Sequence, residues 1–460
     1  MKKNIEDLYK LSPMQQGMLF HSLHEATAGI YFEQLHCAIQ GALNVAAFQQ
    51  AWQQVVERHT ALRTSFHWEN LDNPLQMVHR KVKLPFEQLD WRELSQSEQQ
   101  HLAEYLEMDR RRGFELTKAP LMRLTLIRLT EECYRFIWSH HHLLMDGWCL
   151  PLIFREVIQY YESISQNKAV QLPPAYPYRN YIKWLQEQNL EEAKIFWQET
   201  LKGFSAPTPL VTKDRHNDSG YYECERRLST ELTLALQSLA RRNQLTLNTL
   251  LQGAWALLLH RYSGEHDIVF GVTVSGRPAS LAGAETIIGL FINTLPIRIQ
   301  IYDRQPLLSW LIELRHKQVE IGQYEFSPLI DVQEWSELPR GCPLFKSILV
   351  FENYPMDISL QYRNNQIKID DVISYERTNY PITFAAFPGE RLLLKLGFDR
   401  AHFDNDMVER MLGHLETLLT GITADPQQQT VQVPMLMKAE QDQLLFQWNN
   451  TDRIFELGFL

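Results

Sequence analysis

The sequence predicts an α/β protein built from two mixed lobes of broadly similar size. Segments of β-favouring composition alternate with segments whose apolar residues recur every three or four positions. A proline-rich joint, Leu172-Pro173-Pro174-Ala175-Tyr176-Pro177, breaks the alternation. The theme resumes after a polar, proline-containing stretch near Ser205 to Gly220.

In the first half, a helix is expected over Val45 to His59, with Phe48, Trp52, Val55 and Val56 on one face. Ala61 to Phe66 reads as the start of a strand, and Leu121 to Leu129 as another. Tyr134-Arg135-Phe136-Ile137-Trp138 is aromatic and β-favouring, and leads into a run of three histidines. Leu150, Ile153, Phe154, Val157, Ile158 and Tyr161 then carry the spacing of an amphipathic helix. Beyond the proline joint, one tryptophan-rich helix is expected from Tyr181 through Trp184 to Trp197. The second half predicts helices over Leu232 to Arg242, Leu247 to Tyr262 and Met407 to Leu419. Its strands are expected over Ile268 to Val274, Phe345 to Phe351 and Leu392 to Phe398.

The most telling stretch is Ser139-His140-His141-His142-Leu143-Leu144-Met145-Asp146-Gly147-Trp148, which holds H-H-x-x-x-D-G from His141 to Gly147. It falls where a strand ends and a helix begins, with Asp-Gly as the turn. An imidazole there, beside a carboxylate, suits proton handling near neutral pH. Metal binding is the competing reading. Alternate side chains of a strand point to opposite faces, so three consecutive imidazoles cannot converge on one ion. Neither C-x-x-C nor H-E-x-x-H occurs, and no metal is expected.

Composition narrows the class. At 460 residues the chain is long enough for two large domains or three ordinary ones. A hydrophobic content of 45% supports substantial cores. A formal net charge of −10 and the absence of a basic tract argue against nucleic-acid binding. Five scattered cysteines fit reduced thiols in a cytoplasmic protein better than a disulfide framework. The N-terminus turns acidic at once without an apolar signal core, and no apolar run approaches bilayer length.

Several motifs in order resemble those of the condensation domains of nonribosomal peptide synthetases. They are Leu11-Ser12-Pro13-Met14-Gln15-Gln16-Gly17-Met18-Leu19-Phe20, Arg58 to Phe66 and the His141–Gly147 signature. Tyr178-Arg179-Asn180-Tyr181-Ile182-Lys183-Trp184 follows, with Asn180 where an acidic residue is common, and then Ile288 to Pro296. Looser matches lie at Gly322 to Leu329 and Pro343-Leu344-Phe345.

The resemblance implies two chloramphenicol acetyltransferase-like lobes in a V-shaped pseudo-dimer with a central tunnel. The lobes are expected over 1–177 and 178–440, with 441–460 starting a linker toward an adenylation domain. Donor and acceptor carrier domains would dock at opposite mouths, each bringing a thioester on a 4′-phosphopantetheine arm. The acceptor α-amine would attack the donor thioester to form a peptide bond. The chain would then bind no cofactor of its own, contact neither nucleic acid nor membrane, and act as a monomer. By resemblance His142 faces the reaction centre, either as general base or as a group that orients the amine and stabilises charge. His141 is expected to be structural. Asp146 is expected to turn from substrate and pair with Arg63, pinning the histidine loop. Gly147 leaves room for the acceptor arm or lends its N–H to the oxyanion. Trp148, Ser275 and Asn293 are candidate tunnel residues, with packing or turn roles open for the last two.

Ser12 to His21, Gly276-Arg277-Pro278 and Phe351-Glu352-Asn353-Tyr354-Pro355 are similar to the subtype joining a D-configured donor to an L-acceptor. The alternatives are an L-donor or a dual epimerisation and condensation domain. Epimerisation, heterocyclisation and plant-type acyltransferase signatures are absent. A non-catalytic recruitment platform remains as the reading from another class, against which the intact His142, Asp146 and Gly147 argue. Leu444 to Thr451 resembles the linker into an adenylation domain, so the chain is expected to be a piece of a larger synthetase.

Overall fold

The computed structural model describes residues 4–24, 29–93, 98–210, 220–353 and 367–449, with the side chains of 98–100 excepted. Tyr354, Pro355, most of the stretch near 205–220 and the last residues of the linker therefore lie outside the described residues. The first half runs β1 (Ile5–Lys10), α1 (Pro13–His24), β2 (Phe32–Gly41), α2 (Val45–Arg58), β3 (Thr64–His67) and β4 (Leu75–His79). It continues through β5 (Phe86–Asp90), α3 (Glu98–Arg112), β6 (Met122–Arg128), β7 (Cys133–His141), α4 (Cys149–Ser165), α5 (Arg179–Gln186) and α6 (Leu190–Leu201). The second half begins with β8 (Tyr221–Arg227), α7 (Thr230–Arg242), α8 (Leu247–Ser263), β9 (Asp267–Val274), β10 (Asn293–Gln300), α9 (Leu307–Ile321) and α10 (Leu329–Trp335). It closes with β11 (Ser347–Phe351), β12 (Ile367–Tyr375), β13 (Ile382–Phe387), β14 (Leu393–Asp399), α11 (Asn405–Ala424) and α12 (Lys438–Asp442).

Three sheets organise these elements. A small sheet is ordered β1-β4-β3, a five-stranded sheet β12-β2-β7-β6-β5, and a six-stranded sheet β10-β9-β11-β13-β14-β8. Each large sheet has its own core. Trp52 on α2 is fully buried against Phe136 and Trp138 of β7 and Phe154 of α4. In the second core, Trp255 of α8 meets Phe384 of β13. Packing passes from the first core to the second between Ile182 and Ala193. The exchange is not confined to that point. Ile287, Ile288, Leu290 and Phe291 pack in the first core, and β12 pairs antiparallel with β2.

Two expectations change. The helix expected from Tyr181 to Trp197 is broken, because the Asn189 side chain accepts from the Glu192 N–H and starts α6 afresh. Ala61 to Arg63 forms a 3₁₀ turn before β3, whose Thr64 Oγ1 donates to the Thr60 carbonyl.

Replacing Trp52 with Ala removes the ring that β7 and α4 share. The expected loss is about 3–5 kcal/mol, read as a lowered urea midpoint, and a midpoint equal to wild type would contradict the packing described.

Candidate active site

β7 carries the histidine run to the rim of a cavity of about 1740 Å³ between the two halves. The strand ends at His141, and His142 to Leu144 form a single 3₁₀ turn. The three imidazoles have different surroundings. His142 Nδ1 lies 2.8 Å from the Met145 carbonyl. A carbonyl can only accept, so Nδ1 carries the proton and Nε2 of the neutral ring is left with the lone pair. His142 lines the cavity. His141 Nδ1 accepts the Leu143 N–H at 3.2 Å, and its Nε2 lies 3.4 Å from Ser22 Oγ. His141 thus caps the turn that presents His142, and burial pushes its pKa down to about 3. His140 is also buried, with its pKa held well below the ordinary imidazole value by burial and then by the neighbouring histidines.

Asp146 stands on the cavity wall but is buried, and its carboxylate is engaged by the other half of the molecule. One carboxylate oxygen meets Arg277 Nη2 at 3.0 Å. The other accepts the N–H groups of Phe291 at 2.8 Å and Ile292 at 3.3 Å. Arg277 in turn donates to the Ala284 and Ile287 carbonyls and lies over the Phe291 ring. Its burial opposes the charged form, but Asp146 and Cys149 together outweigh that and raise the guanidinium pKa. Cys149 adds a thiol pushed up to about 12 by burial and the Asp146 charge, and it donates to the Gly289 carbonyl.

This corrects the expected Asp146–Arg63 pair. Arg63 sits in the 3₁₀ turn before β3 and binds Glu6 Oε2 at 2.7 Å and the His79 carbonyl. It fastens the small sheet to the first core and makes no contact with Asp146. Arg277 was visible only as part of Gly276-Arg277-Pro278, since nothing local announces a partner 131 residues away. Gly276 explains why the segment can fold back there. Its φ is +59°, and an added Cβ would stand 1.9 Å from the Phe291 carbonyl oxygen.

Gly147, Trp148, Ser275 and Asn293 all lie on the cavity wall. The Asn293 amide donates to the Glu325 and Ser327 carbonyls, so its side chain braces the wall. Gln15, in the first sequence motif, donates to the Leu143 carbonyl at 2.9 Å and so fastens α1 to the histidine turn. Among the described residues, His260, His266 and Asp303 bring metal-ligand atoms within 4.8 Å of one another, a grouping that no sequence motif announces.

The condensation-domain family matches residues 5–445. A linear gramicidin synthase of Brevibacillus parabrevis contains a region 47% identical over 455 residues, covering 98% of this chain and 6% of the relative. Tyrocidine synthase 2 of the same organism is 36% identical, covering 96% of this chain and 12% of that protein. The chain therefore spans a small part of these relatives. Among solved structures, a four-domain nonribosomal peptide synthetase bound to AMP and glycine superposes with a TM-score of 0.81 at 19% identity, over 95% of this chain and 34% of that one. A starter condensation domain of rhizomide synthetase gives 0.79 at 18% identity, over 93% and 98%.

A double-mutant cycle on Asp146→Asn and Arg277→Gln should return a coupling of about 1–3 kcal/mol. The parallel cycle with Arg63→Gln should return almost none; a larger Arg63 coupling would contradict the pairing. Acid should also weaken the fold. In the unfolded chain His141 binds a proton below about pH 6.5, whereas in the folded chain it stays neutral until about pH 3. Between those values the unfolded state holds more protons, so stability falls as pH falls, by up to about 1.4 kcal/mol per pH unit for each such histidine. Urea midpoints measured from pH 7.5 to 5 should decline, with a shallower slope in His141→Gln.

Proposed function

This chain belongs to the condensation-domain family, and from that premise we propose that it joins an acceptor aminoacyl group to a donor thioester by forming a peptide bond. Its fold is the two-lobed, chloramphenicol acetyltransferase-like one that the motifs imply. The observation that carries the proposal is the fixed tautomer of His142. The Met145 carbonyl holds Nδ1–H, leaving Nε2 with its lone pair at the cavity wall.

Aminolysis of a thioester needs a neutral amine, removal of a proton as the tetrahedral centre forms, and alignment of two large substrates. Nε2 of His142 accepts the proton from the attacking nitrogen and returns it to the departing thiolate. Asp146 takes no part in the proton transfers and fixes the loop from behind through Arg277. Gly147 and Trp148 follow on the wall where the acceptor arm would pass, and Ser275 and Asn293 face them from the other half.

The partners are a donor and an acceptor carrier domain, each supplying its own 4′-phosphopantetheine arm, and a neighbouring adenylation domain. In chain terms the lobes are read as 1–177 and 178–440, with 441–460 leading toward that neighbour, while Tyr178, Tyr181 and Ile182 reach back into the first core. Separate cores around β7 and around β13 support the two-lobed division. Among the described residues no helix is long and apolar enough to cross a membrane.

The donor is read as ending in a D-residue and the acceptor as an L-amino acid. Support comes from where the subtype-resembling segments fall. Gln15 bonds the histidine turn, Arg277 bonds Asp146, and Glu352 and Asn353 lie on the cavity wall.

His142→Ala is expected to lower amide formation between loaded carriers by about 10²–10⁴-fold with its circular dichroism unchanged; turnover at the wild-type rate would remove the basis of the proposal. A donor ending in a D-residue should react faster than its L-epimer in the same assay, and equal rates or an L preference would overturn the stereochemical reading.

A further inference from the structure

Two buried polar side chains on the cavity wall have no use in the mechanism above. Glu33 of β2 and His140 of β7 are only 7% and 5% exposed. The two stand directly opposite each other in the β2–β7 pair, and both line the cavity. His140 Nδ1 is a buried nitrogen without a partner among the described residues, and the Glu33 carboxyl is touched only by the charges of its neighbours. A buried carboxyl without a donor costs free energy unless something else supplies the partner.

His142 lies one pleat further along the same pairing. Its N–H donates to the Tyr31 carbonyl at 2.9 Å, so the register that sets Glu33 against His140 continues to His142. Diagonal neighbours of that kind are about 7–8 Å apart, which a single small group can bridge. Tyr31 holds a left-handed φ of 61°, and its own N–H donates to the Arg377 carbonyl, so the backbone between the two side chains is fastened on both sides.

The charges around Glu33 point to the sign of the missing group. Glu376 follows β12, Glu352 follows β11, and Glu223 stands on β8. Lys395 of β14 is held 3.1 Å from Glu223, and the Arg377 guanidinium lies over the Tyr221 ring. Tyr375 closes the end of β12, and His140 and His142 face Glu33 from the β7 side. The Glu33 carboxyl is thus surrounded by carboxylates, with the nearby cations engaged elsewhere. The chemistry that fits is an ammonium group.

We propose that Glu33 receives the acceptor's α-ammonium beside His142 and takes its first proton, so that the neutral amine is released at the catalytic imidazole. This rests on the amide-forming reading of the site. Proton balance is complete without any further reagent. The ammonium gives one proton to the Glu33 carboxylate, and the freed lone pair forms the C–N bond at the thioester carbonyl carbon. The C–S bond then breaks, and His142 Nε2 carries the second amine proton to the thiolate. Glu33 returns its proton to water when the product leaves. Burial and the surrounding carboxylates raise the Glu33 pKa well above the usual carboxylate range, so the protonated form is stabilised once the ammonium has given up its proton. This favours transfer between the two.

The test compares two acceptors on the same pantetheine arm, one with the ordinary α-amine and one with an α-aminooxy group that is already neutral at pH 7. In Glu33→Gln, kcat/KM for the amine should fall on the order of 10²-fold, while the aminooxy acceptor reacts as with wild type. The amine deficit should shrink as pH rises through the α-ammonium's own pKa of about 7.7–8.0. Glu33→Asp keeps the carboxyl and should recover part of the amine rate; it carries the same comparison if the glutamine variant does not fold. Equal losses with both acceptors, or no loss with either, overturns the role given to Glu33. A wild-type protein that forms no product with either acceptor overturns the amide-forming reading itself, and this proposal with it.

Discussion

The buried pair of Asp146 and Arg277 is the contact on which the site depends. It ties the turn carrying His142 to the segment 277–292 of the other half. Burying two charges is expensive, and the mutual attraction repays it only when the remaining donors and acceptors are also satisfied. Asp146 takes a guanidinium N–H and two backbone N–H groups, and Arg277 has two carbonyls and an aromatic face besides. Within the pair only the Arg277 Nε–H is left without an acceptor. A pair so fully engaged has little freedom to turn toward a substrate. A geometry that looks like a His–Asp dyad in the sequence is therefore an anchor.

The local glycines serve the same latch. Gly289 approaches Tyr178 so closely that a Cβ would stand 2.1 Å from the ring, and Gly276 passes against the Phe291 carbonyl. Tyr178 then donates to the Leu290 carbonyl, and Tyr181 packs on Phe291. The segments around Tyr178 and Ile288 resemble family motifs for a physical reason. They form one knot of backbone and aromatic rings behind the catalytic turn.

Most helices and the two strands leading to the site were legible because their signals are local. The 3.6-residue spacing of α2, α4, α7 and α11 reflects one buried face on each helix, whereas α8 is buried without a break from Thr249 to Leu259. The break between α5 and α6 depends on a single cap at Asn189, too slight to interrupt an otherwise continuous apolar pattern. His142 was legible through its motif. The choice between Arg63 and Arg277 was not, because both are single arginines in short irregular segments and only the tertiary approach of residues 276–292 separates them. Glu33 was silent for a related reason. In the sequence it is one acid in an apolar stretch, and only its register against His140 makes it unusual.

The pairing of β12 with β2 has a consequence for how the chain reaches this state. Gly41 meets Ile367, and Gln34 meets Tyr375, so the first sheet keeps a bare edge until residues near the far end of the sequence arrive. During synthesis the open edge of β2 would be a template for strands of other molecules. Contacts between segments so distant along the chain also form slowly. The wall that carries Glu33 and faces His140 is consequently among the last parts of the structure to be completed. A molecule whose first sheet had formed without β12 would hold its histidine motif intact and still have an unfinished cavity.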